Sequence, residues 1–173
     1  MSADPVPRTI FHLVGLGVAA SQIFETIFVV AARLVLKPAA NGISADVDPI
    51  LNPKWFKQPA QALLKELGNA QLAEPGLEAR MFCLIDDRHR MIHRLFYEFG
   101  WPAPMTKQKE EELTQLCLRV VSESLAVSQV FIDVVLNWMR LFPATSQTAI
   151  EHEEKFKELA DRIVVQSARI NSA

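Results

Sequence analysis

Residues 77–99 read LEARMFCLIDDRHRMIHRLFYEF, and this stretch decides the fold. On a wheel of about 100° per residue, Leu77, Met81 and Leu95 lie within about 20° of Arg88, and Leu84, Ile85, Met91 and Ile92 within about 60°. The apolar positions therefore form one helical stripe. Arg88 stands in the middle of that stripe, where the pattern calls for a leucine. A buried guanidinium without a partner is costly. Arg88 thus needs a carboxylate partner, or the stripe must open into a cleft or a subunit interface.

The same stretch carries a second population. Asp86, Arg90 and Arg94 fall on the opposite side, where Asp86–Arg90 and Arg94–Glu98 have the i,i+4 spacing of a solvated ladder. His89 and His93 are also four apart and share a face, the spacing of a helical two-histidine metal site. The pair lacks the adjacent glutamate of H-E-x-x-H, and two ligands alone make a poor site, so no metal is expected.

Working outward, the helical pattern continues in both directions. A first helix is expected over about 8–36, ending before Pro38. Residues 37–58 read as loop, punctuated by prolines and Asn41-Gly42. A short helix over about 60–68 ends at Gly68-Asn69. Pro75-Gly76 opens the motif helix, about 77–99, which Gly100-Trp101-Pro102 closes. Thr106 caps a long helix over about 107–141, and Thr148 with Glu151 forms a capping box for a last helix over about 149–170. The expected architecture is an all-α bundle of about five helices in a single domain.

The totals agree. The chain has 173 residues, 50% hydrophobic and 22% charged, which suits one packed domain. A net charge of −2 excludes a polybasic nucleic-acid coat, so any such contact needs a local patch. Cys83 and Cys117 are the only cysteines, which excludes a zinc ribbon and argues against a disulfide framework. Residues 10–36 approach transmembrane length, but Glu25 lies near the middle, and a carboxylate at bilayer depth is expensive. The expectation is a buried helix of a cytoplasmic protein with no membrane partner. In that helix GLGVAA (Gly15, Gly17, Ala20) matches G-x-G-x-x-A, but no strand precedes it; small residues there would let another helix approach. Glu25 itself is a boundary residue on a wet edge, or else the counter-ion of Arg88 or a cleft residue. Trp55, Trp101 and Trp138 read as core or interface anchors, and His12 and His152 as helix-edge and surface residues.

Arg88 and His93 are about 140° apart on an ideal helix, so one copy does not bring them together easily. Across a twofold axis each copy could offer one edge of a shared cleft. Histidine titrates near operating pH and can take a proton from a ribose 2′-OH. Arginine can hold a non-bridging phosphate oxygen and stabilise transition-state charge. No cofactor is needed for such a reaction.

Arg88-His89-x-x-x-His93 resembles the R-polar-x3-H motif of the HEPN superfamily, the higher eukaryote and prokaryote nucleotide-binding domains. Its setting, LIDDRHRMIHRLF, resembles the acidic run, motif and aromatic-rich helix of that family. The long apolar first helix and the short ALLKELG helix before it also fit. The resemblance spans roughly residues 8–141, leaving the last helix as an addition. It implies a dimeric bundle whose two motifs line one cleft and cleave RNA without metal. Arg88 would stabilise the phosphate, His93 would act as general base or acid, and His89 would orient them, with Glu25 and Tyr97 in support. The family also implies roles in toxins or antiphage defence, with an antitoxin or sensor protein as partner. Some members are inactive binding or dimerisation modules. Family toxins with R-x4-H-x-Y carry a modified tyrosine where this chain has Leu95; Tyr97 lies two residues later, which puts that regulation in doubt.

Overall fold

The computed structural model describes residues 8–36, 59–143 and 147–171. These form helices α1 (Arg8–Leu36), α2 (Ala60–Asn69), α3 (Pro75–His93), a π-helical turn (Leu95–Phe99), α4 (Lys107–Leu141) and α5 (Gln147–Asn171). There is no strand among the described residues, as the sequence pattern requires. The expected loop over 37–58, with Trp55, lies outside them, as does the side chain of His152.

Helix ends follow local chemistry, with three departures from the sequence reading. Glu74, not Pro75 alone, starts α3: its carboxylate accepts from the Gly76 and Leu77 amides at 2.9 and 2.8 Å. This satisfies two of the amides that a helix start leaves without partners. Thr106 caps α4 as expected, accepting from the Lys109 amide at 3.3 Å. Helix α5 is described from Gln147, and the side chain of Thr148, with the capping box expected there, lies outside the described residues. Helix α2 ends at Asn69, with its C-cap at Ala70 rather than within Gly68-Asn69, and Gln71 takes the left-handed conformation at φ 56°. The motif helix is not continuous to residue 99. It breaks at Arg94 (φ −114°, ψ 6°) and resumes as the π-helical turn, ended by Gly100 at φ 75°.

Helix α1 packs most extensively on α4, and the two run in the same direction: Gly17 faces Val120, and Phe28 meets Phe131 eleven residues further along each helix. Helix α3 runs against both, since Gly17 meets Met91 while Glu25 meets Arg88, and Asp87 meets Arg119 while Arg80 meets Glu123. Helix α2 bridges α1 and α3, and α5 covers α4.

The buried side chains fall into two clusters. The larger gathers Phe24, Ile27 and Phe28 of α1 with Leu63 and Leu64 of α2, Ile132 and Val135 of α4, and Ile163 of α5. The smaller, at the other end, holds Ile10 and Val14 with Met91, Leu95, Phe99, Leu113 and Val120. Burying each such side chain contributes about 1.5–3 kcal/mol. Residues 27–32 of α1 are buried without a break, which explains a hydropathy that rises to membrane level. By length and hydropathy α1 and α4 could each cross a membrane; about 50% of each apolar window is buried against the other helices. The small residues of α1 divide. Gly17 and Ala20 are buried, and a Cβ at Gly17 would run into the Met91 thioether. Gly15 is exposed with nothing within 4 Å, so close approach explains only one of the two glycines.

Candidate functional site

Arg88 lies on α3 between Leu84 of the larger cluster and Met91 of the smaller. Its position in the apolar stripe is met by a partner on α1. The guanidinium donates from Nη2 to Glu25 Oε2 at 2.9 Å, and Nη1 sits 2.8 Å from Oε1, a two-to-two pair. The two side chains keep 23% and 30% of their surface, so the pair stands at the edge of the core. Among the described residues, Arg88 Nε is buried with no hydrogen-bond partner. Burial pushes the Glu25 carboxyl above its ordinary value, and the Arg88 charge works against that shift. Glu25 is thus the counter-ion of Arg88, at a part-exposed edge of the core.

His89 and His93 share one exposed face, with ring centroids 5.0 Å apart and planes tilted by 45°. No hydrogen bond or ion pair joins either to Arg88 among the described residues. The helix wheel therefore holds in one copy of the chain: Arg88 turns to α1 and His93 turns to solvent. No group of three or more histidine, cysteine or carboxylate side chains suited to a metal occurs among the described residues.

The ladder on the far side differs from the expected one. Arg90 does not pair with Asp86. It reaches Glu98 at 2.9 Å and Asp87 at 3.5 Å. Glu98 also meets Arg94 at 3.7 Å, as the i,i+4 spacing predicts. Asp87 is the residue the sequence reading missed. Its carboxylate accepts from Arg119 Nε and Nη2 at 2.8 and 3.3 Å and so ties α3 to α4. Only the register between two helices reveals that pairing, since 32 residues separate the partners. Two open grooves lie on this side, of about 350 and 510 Å³; both are lined by Arg119, and neither by Arg88, His89 or His93.

Tyr97 and Phe96 project from the π-helical turn, 84% and 68% exposed, with rings edge to face at 5.6 Å. The turn itself follows from burial. Met91, Leu95 and Phe99, spaced by four, all face the smaller cluster. An α-helix advances about 40° with every four residues, which would carry Phe99 off that line. The wider π turn removes the drift. Trp101 packs on Phe11 at 5.0 Å and Trp138 on Phe142 at 5.3 Å, both as anchors rather than exposed platforms. His12 is exposed on α1.

Compared with protein-family models, with curated proteins and with solved structures, the chain finds no significant match.

Proposed function

We propose that the chain is a metal-independent endoribonuclease of the HEPN type, cytoplasmic, acting as a homodimer whose two motif helices line one cleft. The observation that carries the reading is Arg88, a guanidinium held in place at the edge of the core and still part-exposed. Glu25 accepts one hydrogen bond from Nη2 and lies 2.8 Å from Nη1, so the guanidinium keeps further N–H groups that a phosphate oxygen could engage. His93, five residues on and exposed, can take the 2′-OH proton. The 2′-oxygen then attacks phosphorus, the bond to the 5′-oxygen breaks, and a proton from a general acid neutralises the leaving oxygen. The products are a 2′,3′-cyclic phosphate and a 5′-hydroxyl. Because Arg88 and His93 do not meet within one chain, the reaction requires the second copy to complete the site. A toxin or antiphage effector held in check by an antitoxin or sensor protein fits this activity.

The test is incubation of labelled RNA with the purified protein in EDTA. Cleavage is expected, with loss in both Arg88→Ala and His93→Ala while both stay folded. Full cleavage by His93→Ala would overturn the mechanism.

A second reading has its own observation. Glu25 pairs Arg88 completely enough for a purely structural ion pair at a helix crossing. The chain would then be a non-catalytic helical dimerisation or RNA-binding module. It predicts no cleavage by the wild type, and a loss of stability or dimer in the Arg88 variant.

A further inference from the structure

The exposed side of the motif helix carries three rings at intervals of four: His89, His93 and Tyr97. Four residues return to within about 40° of the same face on an α-helix. The wider π turn falls short of a full circle by a similar angle. The buried side confirms the register, since Met91, Leu95 and Phe99 keep one face in the same steps of four. Phe96 stands beside Tyr97, edge to face. Phe96 and Tyr97 are the two most exposed aromatic side chains described, and they adjoin the histidines proposed for catalysis.

We infer that this ring stripe, ending in Phe96 and Tyr97, is a stacking track for the bases of single-stranded RNA; the inference rests on the ribonuclease reading for its choice of ligand. The chemistry of the stripe favours that occupant. Its exposed members are π-faces rather than aliphatic side chains, and every base offers a π-face. Arg94, 52% exposed, follows His93 and precedes the aromatic pair; its Nη1 lies 3.7 Å from Glu98, and its other N–H groups can reach a backbone phosphate. Glu98 is engaged by Arg90 and Arg94, which leaves Asp86 as the exposed carboxylate at the upstream end. From His89 to Tyr97 the track measures about 12 Å at 1.5 Å per residue. That length holds about three bases at roughly 3.4 Å each. A duplex, whose bases are already stacked, gains nothing from it.

The experiment uses a fluorescein-labelled 12-nucleotide single strand with 2′-O-methyl riboses, which cannot be cleaved by 2′-OH attack. Its anisotropy is followed with wild type, Phe96→Leu, Tyr97→Leu and Tyr97→Trp, beside a duplex of the same sequence. Each leucine variant is expected to bind the strand about tenfold more weakly, Tyr97→Trp to bind like wild type, and the duplex to bind less tightly than the strand. No binding by wild type, equal binding by the leucine variants, or a changed native mass in them (a self-association surface) would each overturn the inference. Cleavage of unmodified RNA is measured in parallel. Cleavage with unaltered binding by the leucine variants would end the stacking track and leave the nuclease. Strand binding that depends on the rings, without cleavage, would keep the track and end the nuclease.

Discussion

Glu25 and Arg88, 63 positions apart in the chain, face each other two-to-two across the crossing of α1 and α3, at 2.8 and 2.9 Å. The pair settles how a guanidinium occupies a leucine position. It also sets the first prediction. Fully exposed ion pairs couple by about 0.2–1 kcal/mol. Removing one partner of a buried pair costs about 3–5 kcal/mol. With 23% and 30% of their surfaces exposed, these partners fall between the limits. Glu25→Leu and Arg88→Met should each lose about 1–2 kcal/mol in urea unfolding, and the double variant should recover at least half of the summed loss. Strict additivity of the two losses would show that the pair does not couple.

The pH dependence of this site has a definite sign. Burial raises the folded-state value of Glu25 above the ordinary 4.5, so the folded protein binds that proton more tightly than the unfolded chain does. The group's contribution to stability is then largest below pH 4.5 and falls as pH rises through the window above it. Glu25→Gln removes the titration. Relative to wild type, that variant should gain stability from about pH 4 to pH 7, read as urea midpoints. A trend in the opposite direction would mean that attraction to Arg88 outweighs desolvation.

The two glycines of α1 should respond oppositely to the same substitution. Gly15 faces open space, so Gly15→Ala should stabilise by about 0.5–1 kcal/mol through helix propensity. At Gly17 the added methyl meets the Met91 thioether, and Met91 is fully buried, so its side-chain end must repack within the smaller cluster. Gly17→Ala should cost about 1–2 kcal/mol despite the same propensity gain. Thermal melts of the two variants check both signs.

The cysteines should separate by reactivity. Cys83 is exposed, whereas Cys117 is buried and its thiol is pushed up to about 11 by desolvation. A thiol reagent near pH 8 should therefore modify one cysteine per folded chain, and both only after unfolding. Rapid modification of both in the folded state would contradict the packing of the smaller cluster.

Much of this molecule was legible in one dimension. Apolar residues at intervals of three and four determined the all-α class, the extents of α1 and α4 and the burial of Met81, Leu84 and Met91, because a 3.6-residue period assigns faces within a helix without knowledge of its neighbours. The same reasoning marked Arg88 as misplaced and Glu25 as one of its possible answers. Local caps were less secure. Thr106 acts as read, while α2 runs to Asn69 and takes its C-cap at Ala70, since a helix end moves by a residue or two when packing favours continuation. What lies between helices was decided only by the tertiary structure. Asp87 finds Arg119, Arg90 prefers Glu98 to Asp86, and Gly17 rather than Gly15 makes room for Met91, because each depends on how two helices are set against one another. The π-helical turn belongs to the same class: nothing in LFYEF announces it, and it arises because Leu95 and Phe99 must both reach the cluster that holds Met91.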